Sequence, residues 1–222
     1  MEEIGALWLQ RNDIWEIIRL SVFVSGSAVL ISSLLGIPAG AWLGLTRFAG
    51  KALVLRITIT LMALPPVLAG LIVYLLLSHS GPLGSWEILF TPTAMIIAQC
   101  LLVIPIIVGL CAAAIAGKEN SIHEHALSLG ATRAQAMRTV IGEARTGILA
   151  AVMTGFGRAF AEVGAVMMVG GNIKHFSRVL TTSIVLETRQ GNFDIAIALG
   201  VILLILSFIV SSIALSSIQE SI

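Results

Sequence analysis

Five long apolar runs divide the chain, and each is long enough to cross a membrane as a helix. Spanning about 30 Å of hydrocarbon takes about 20 helical residues. In lipid, every backbone polar group must be hydrogen-bonded within its own segment, which favours helices over strands. We therefore predict an all-α integral membrane fold with five transmembrane helices. Their expected bounds are 20–45, 53–78, 93–117, 148–171 and 195–216.

The first 19 residues, 1–19, combine apolar and charged positions at helical spacing. Trp8 and Trp15 give this segment an apolar side, whereas Arg11 and Glu16 give it a polar side. This pattern predicts an amphipathic helix that lies in the membrane interface, not a sixth span. The segment lacks the uninterrupted apolar core of a cleaved signal peptide.

Composition supports the membrane class. Hydrophobic residues make up 57% of the chain and charged residues 11%, with a mean hydropathy of +1.01. Soluble domains carry about 25% charged residues, so this chain could not keep a water-facing surface soluble. The net charge of +1 says nothing about nucleic acid, and the sequence has no basic patch, so no nucleic-acid partner is expected; membrane lipid is the expected surrounding phase.

The distribution of lysine and arginine predicts the orientation. The loops after the first and third spans, together with Arg56 just beyond the first of them, carry seven basic residues, whereas the loops on the other side carry three. Cytoplasmic loops are enriched in basic residues, so the N-terminus is expected outside and the C-terminus in the cytoplasm. Arg11 and Arg19 reduce this margin without reversing it.

Small residues and prolines mark positions inside the bundle. Gly36, Gly40 and Gly44 recur at four-residue spacing, which predicts a face for close helix packing. Pro65 and Pro66 remove two backbone donors in the second span and should kink or open that helix. The bend either lines a pathway or is a packing kink.

The fourth span carries two charges, Arg158 and Glu162. On insertion scales each costs about 2.5–3.5 kcal/mol at the bilayer centre, so neither should face lipid. On a continuous helix the two side chains would share a face and could neutralise each other. They form a structural ion pair, line a polar conduit, or do both.

The polar segment 121–145 predicts two short helices. Its two capping-box patterns begin at Ser121 and Thr132, and Gly130 supplies a helix stop before Ala131. Helices this short are marginal in water unless they pack on something. A cytoplasmic protein partner and the protein's own bundle are the two candidates.

The same segment resembles the EAA loop of ATP-binding-cassette importer permeases. Glu124, Ala126 and Gly130 match that motif in register, Val140 replaces an isoleucine, and Gly142-Glu143 stands in place of Leu-Pro. The resemblance implies that the loop sits in a groove of a separate ATPase subunit and transmits its movement. The coupling residues that we expect are Ser121, Glu124, Ala126, Gly130, Ala131, Thr132 and Val140.

The resemblance extends over nearly the whole chain, to the permeases for molybdate and tungstate. The stretches LPPVLAG and GRAFAEVGAVMMVGGNI carry it, and RVLTTSIVLETRQGNFDIAIALG is most like the tungstate-type branch. This implies a homodimer in a prokaryotic inner or plasma membrane, with two cytoplasmic ATPase subunits and an extracytoplasmic oxyanion-binding protein. The implied cargo is a tetrahedral oxyanion, tungstate first and molybdate or sulfate as the alternative.

A narrow pathway in such a protein should be apolar, because an uncharged constriction does not trap a dianion. The residues that we assign to the pathway or the bundle interior are Pro65, Pro66, Val67, Leu68, Arg158, Glu162, Gly164 and Met168.

The chain is not expected to be an enzyme. Neither Gly50-Lys51 nor Gly117-Lys118 is set in a P-loop, so ATP and magnesium are expected on the partner subunit and no cofactor on this chain. An ion-coupled transporter or channel, the second alternative, would need several embedded ionisable groups.

A membrane enzyme or metal site would need clustered His, Asp, Ser or Cys. All four histidines fall in predicted loops, so no metal site is expected. Cys100 and Cys111 lie too far apart along one predicted helix for a disulfide.

Overall fold

The computed structural model describes residues 2–219. The side chains outside its description are those of 2–12, 119–121, 123–124, 214–215 and 217–219. Every regular element within 2–219 is helical. The α-helices are α1 (Glu2–Leu45), α2 (Lys51–Met62), α3 (Pro66–Leu77), α4 (Pro92–Ser128), α5 (Arg133–Glu143), α6 (Arg145–Phe160), α7 (Gly164–Gly170), α8 (Leu180–Gln190) and α9 (Phe193–Gln219), with one 3₁₀ turn at Gly84–Trp86.

The predicted all-α membrane fold is confirmed. Three described segments are long and apolar enough to cross a membrane as unbroken helices: Asp13–Leu45, Pro92–Lys118 and Phe193–Ile213. Two further candidates are bent pairs. Helices α2 and α3 meet at 98°, and α6 and α7 at 56°, so the number of spans reaches five if each pair counts as one.

The residues of the predicted interfacial helix over 1–19 and those of the first predicted span belong to one helix, because α1 continues from Glu2 to Leu45. An interfacial position for the first 19 residues stays a prediction. Charged residues such as Arg19 do not end α1, because residues with good helix propensity lie on both sides of them.

The chain forms two compact units. The first contains Met1–Ala28, Pro65–Gln99 and Ala159–Val210. In it, α3 packs on α7, and the backbone N–H of Phe90 donates to the carbonyl of Val169 at 2.8 Å. This contact ties the loop before α4 to the end of α7.

The second unit contains Val29–Leu64, Cys100–Arg158 and Ser211–Ile222. Its centre is the glycine seam that the sequence predicts. A Cβ added at Gly36 would lie 2.9 Å from Ile107 Cγ2, and one at Gly40 would lie 2.7 Å from Cys111 Cβ. The α1 and α4 backbones approach this closely because the seam has no side chains of its own.

The prolines break the second predicted span as expected. Helix α2 ends at Met62, Pro65 is extended with φ −60° and ψ 130°, and Pro66 is the first residue of α3. Proline suits that first position because its missing N–H would have no helical partner there.

Candidate functional site

The elbow between α4 and α5 is the first region of interest. Gly130 has a φ of +86°, a conformation that glycine adopts without strain. The N–H of Ala131 donates to the Ala126 carbonyl at 3.0 Å, and the N–H of Gly130 donates to the Leu127 carbonyl at 3.0 Å. This pair of bonds is a Schellman motif, so the predicted helix stop at Gly130 is confirmed.

The second capping box is also confirmed. The Thr132 N–H donates to Gln135 Oε1 at 2.8 Å, and the Gln135 N–H donates to Thr132 Oγ1 at 3.3 Å. These reciprocal bonds satisfy donors that the start of α5 would otherwise leave free.

The first predicted capping box was wrong. Helix α4 runs without interruption from Pro92 to Ser128, so no helix begins at Ser121. Ser-x-x-Glu is equally compatible with a helix interior when the preceding turn is already helical. The side chains of Ser121 and Glu124 lie outside the described residues.

Val140 holds α5 in place. It is fully buried with Ile115 and Ala144, and Ile122 and Ile148 pack against this cluster. Because its side chain is enclosed in this way, Val140 can contribute to coupling by positioning the elbow and not by touching a partner. Its role as a coupling residue stays a prediction.

The tip of the elbow is exposed and partly apolar. The Leu129 side chain is 88% exposed, and Gly130 and Thr132 are also exposed, whereas Ala126 and Ala131 are half-buried.

The second region is the packing of α3 on α7. A Cβ at Gly70 would lie 2.7 Å from the Ala165 Cα, and one at Gly164 would lie 3.1 Å from Val67 Cγ2. Two predicted pathway residues, Gly164 and Val67, are thus neighbours. Val67 is 59% exposed, Leu68 is 43% exposed and Met168 is half-buried.

The break between α6 and α7 changes the interpretation of Arg158 and Glu162. Helix α6 ends at Phe160, so regular i, i+4 spacing does not extend to Glu162, and the prediction of one continuous helix was wrong. The Glu162 side chain is buried, and its Oε1 accepts the Ala165 N–H at 2.9 Å. Glu162 therefore caps the start of α7.

Sequence reasoning missed a buried polar network beside this break. Gln99 Nε2 donates to the Ala159 carbonyl at 3.0 Å and to Ser25 Oγ at 3.3 Å. The Leu180 N–H donates to Ser21 Oγ at 2.8 Å. A lone glutamine within an apolar span was the available signal, since buried polar groups need partners.

A charged cluster connects α1 to the loop after α7. Lys174 Nζ lies 2.9 Å from Asp13 Oδ2, and His175 Nδ1 lies 2.7 Å from Glu16 Oε2. His175 has a φ of +63°, so the loop turns sharply to present these side chains.

Asp13, Glu16 and His175 place donor atoms within 4.8 Å of one another, which would suit a divalent cation. The ion pairs already occupy these groups, and Lys174 adds a competing positive charge. No sequence signal connects residues this far apart in the chain.

The fold and these regions define a multi-pass helical membrane protein with two broken spans and a polar elbow that extends its fourth helix. A family model described as "Binding-protein-dependent transport system inner membrane component" matches residues 36–221. The chain belongs to this family.

Relatives support the same assignment. The tungstate uptake system permease protein TupB of Peptoclostridium acidaminophilum is 43% identical over 207 residues, which cover 93% of this chain and 90% of that protein. A probable anion ABC transporter permease protein of Haloferax volcanii is 43% identical over 86% of this chain and 84% of its own length. The sulfate transport system permease protein CysW of Escherichia coli K12 is 30% identical over 90% of this chain and 72% of its own length.

Proposed function

We propose that this chain is the permease subunit of an ATP-driven importer whose cargo is a tetrahedral oxyanion, tungstate in the first place. Two copies form the translocation pathway at their interface, and two cytoplasmic ATPase subunits drive it. A soluble oxyanion-binding protein delivers cargo from outside. The chain lies in the inner or plasma membrane of a prokaryotic cell, with its N-terminus outside and its C-terminus in the cytoplasm.

The observation that supports tungstate as the cargo is the 43% identity to a tungstate permease over nearly the whole of both chains. The sulfate permease is more distant at 30%. Molybdate and sulfate are therefore the second candidates, since all three ions present four oxygens around a central atom.

The coupling mechanism rests on the elbow. Its backbone is fixed by the Schellman motif and the capping box, and its exposed Leu129 offers an apolar anchor to a groove in the ATPase. Closure of the ATPase pair on ATP would move both elbows together. Because α4 is continuous from Pro92 to Ser128, movement at the elbow would be passed into the predicted span along a single helix.

The pathway is proposed to run beside the α3–α7 pair. Val67 and Leu68 expose apolar side chains near the break at Pro65 and Pro66, and these residues would form an uncharged constriction at the two-fold interface. Such a constriction holds no anion tightly, so release is not slowed. Glu162 fixes the start of α7 instead of binding cargo.

Coupling is tested with Gly130→Asp. A side chain at a φ of +86° strains the elbow, and the carboxylate places a charge beside Leu129. We expect the variant to insert into the membrane but to lose ATPase association by at least tenfold in co-purification. Gly50→Asp is the matched control, because Gly50 is exposed, has a φ of +96° and lies outside the elbow, and a Cβ there would meet no described atom within 4 Å. Unchanged association of Gly130→Asp would refute the docking role.

The cargo is tested by calorimetry of the partner binding protein with tungstate, molybdate and sulfate, together with uptake by the reconstituted transporter. Tungstate should bind more tightly than the other two ions. Equal or stronger binding of sulfate would reject the tungstate assignment while leaving the transport function intact.

The alternative without an ATPase is an ion-coupled transporter or channel. The purified chain alone in lipid vesicles should show no concentrative uptake, with or without ATP. Uptake in that preparation would overturn the proposal of a partner-driven permease.

A further inference from the structure

The two broken spans differ in what causes the break. Between α2 and α3, Pro65 and Pro66 lack backbone donors, so the covalent structure itself imposes that break. Between α6 and α7, residues 158–165 read RAFAEVGA and contain no proline. Gly164 is the residue of lowest helix propensity in this stretch, and the alanines and the glutamate favour a helix. The local sequence therefore does not force the second break.

The backbone at this second break is already close to helical. Val163 has a φ of −116° and a ψ of −51°, in the right-handed helical region, and α7 begins with the next residue. Only Ala161 and Glu162 separate Val163 from the end of α6. A change in few backbone torsions would make 145–170 a single helix, in which the Val163 N–H would donate to the Ala159 carbonyl.

Side chains from other helices bind two backbone carbonyls at the break. The Ala159 carbonyl accepts hydrogen bonds from Gln99 Nε2 at 3.0 Å and from Ser25 Oγ at 3.4 Å. The Glu162 carbonyl accepts the Thr181 hydroxyl at 2.9 Å. The three donors belong to α4, α1 and α8, so each comes from a different helix. The bend is therefore stabilised by contacts between distant segments of the chain.

The bent arrangement leaves one buried acceptor unsatisfied. Gln99 is 2% exposed, and its Oε1 has no hydrogen-bond partner among the described residues. A partly satisfied buried network is less stable than a complete one, because the unpaired group has lost water without gaining a partner. A cavity of about 10 Å³, with Phe160, Thr181 and Leu203 in its wall, also lies beside the break. These two defects lower the stability of the bent form relative to an alternative.

We propose that the α6–α7 junction is a two-state hinge, bent in this structure and continuous in a second conformation of the permease. Gln99, Ser25 and Thr181 form a polar clasp that stabilises the bent state. In the continuous state, the helical hydrogen bond from Val163 to Ala159 replaces the bonds of the clasp. The proline break between α2 and α3 stays in both states. The use of this hinge in transport rests on the proposed function, whereas the hinge itself does not.

The test removes the clasp bonds from the full-length chain in lipid nanodiscs. Thr181→Val keeps the shape of the side chain and deletes the hydroxyl, whereas Thr181→Ser keeps the hydroxyl. Thr58→Val is the matched control, because Thr58 is also a buried threonine but donates to the Val54 carbonyl of its own helix at 2.9 Å. Gln99→Leu removes both Gln99 bonds together with the unpaired acceptor.

Nuclear magnetic resonance can observe the hinge directly. Ala161-Glu162 is the only Ala-Glu pair in the sequence, and Glu162-Val163 is the only Glu-Val pair. Isotope labels on the carbonyl carbon of the first residue type and the amide nitrogen of the second therefore select one signal for each pair. The carbonyl shifts of Ala161 and Glu162 report whether their backbone is helical.

The parent should give mainly non-helical carbonyl shifts at both positions. Thr181→Val and Gln99→Leu should each raise the ratio of helical to non-helical signal at least tenfold, whereas Thr181→Ser and Thr58→Val should keep the parent's ratio. Unchanged ratios in both clasp variants would overturn the proposal, because the clasp would then have only a structural role.

If neither clasp variant folds, the parent decides. Relaxation dispersion of the same two signals should then show exchange with a minor helical form on the microsecond to millisecond timescale. A flat dispersion profile in the parent would overturn the proposal in that case.

Uptake by the complete transporter tests whether the cycle uses the hinge. Gln99→Leu should lower tungstate uptake at least tenfold while the ATPase subunits co-purify as they do with the parent. Unchanged uptake with shifted signals would refute the role of the hinge in transport. Absence of ATP-driven uptake by the parent complex would refute the proposed function, while the spectra of the isolated chain would still decide the hinge.

Discussion

At the scale of single residues, glycines decide how closely helices approach. Gly70 is the clearest case in the first unit, because α7 passes so near that a Cβ would lie 2.7 Å from the Ala165 Cα and 3.2 Å from its carbonyl oxygen. Both atoms belong to the backbone and cannot rotate away as a side chain can. The absence of a side chain at Gly70 is thus a requirement of the α3–α7 contact.

Gly70→Ala should therefore destabilise the chain by about 1–3 kcal/mol, the typical cost of overpacking a tight interface. Gly26→Ala is the control, because Gly26 is also helical and a Cβ there would meet no described atom within 4 Å. That control should be neutral or slightly stabilising. The measurement is the melting temperature of each variant in detergent. Equal values for the two variants would show that the α3–α7 contact tolerates a methyl group.

Thr132→Ala should remove the side-chain half of the capping box and cost about 0.5–2 kcal/mol of local stability. Thr139→Ala is its control, because the Thr139 hydroxyl donates back to the Gln135 carbonyl within the helix and does not cap the helix start. Hydrogen exchange of the first α5 amides should accelerate in the first variant and not in the second. Identical protection in both would argue that Val140 alone holds the helix start.

At the scale of elements, each broken span accommodates its freed backbone groups at the start of the helix that follows the break. In α3, Pro66 occupies the first position, where the missing N–H needs no partner. In α7, Glu162 supplies the acceptor for the Ala165 N–H, and its own carbonyl accepts the Thr181 hydroxyl at 2.9 Å. A break inside a membrane is tolerated when neighbouring protein groups satisfy the freed backbone in this way.

Glu162→Leu should cost about 1–3 kcal/mol, because it leaves the buried Ala165 N–H without its acceptor. Glu162→Gln keeps a carbonyl oxygen at the same place and should lose less. Thermal unfolding of the two variants in the same detergent compares them directly. If leucine and glutamine were equally harmful, the negative charge would matter and not the capping bond.

At the scale of the whole molecule, the elbow and the 3₁₀ turn at Gly84–Trp86 belong to loops that the distribution of basic residues assigns to opposite sides of the membrane. Arg133 begins α5 and is exposed. Ser85 is exposed at the turn and has no basic residue near it in sequence. The proposed coupling depends on this placement, since an ATPase partner would reach only the cytoplasmic side.

Single cysteines test the orientation, in a background where Cys100 and Cys111 are replaced by alanine. A membrane-impermeant maleimide should label Ser85→Cys in intact cells and should label Arg133→Cys only after the cells are opened. The reverse pattern would place the elbow outside and would contradict the proposed coupling.

The sequence by itself determined the membrane class, the all-α fold, the glycine seam of α1, the proline break and the Gly130 stop. These are local properties, since hydropathy, missing donors and a positive φ act within a few residues. Family membership followed from the resemblance of sequence motifs, which occur in the same order along this chain as in the family.

Only the tertiary structure decided the remaining features. It showed that α1 and α4 continue past their predicted ends, that Glu162 caps α7 and that Val140 is enclosed. It also brought Asp13 beside Lys174, and Gln99 beside the Ala159 carbonyl. Each of these features depends on which distant segments pack together. A repeating sequence pattern reports the face of one helix, but it does not report burial or hydrogen bonds between residues far apart in the chain.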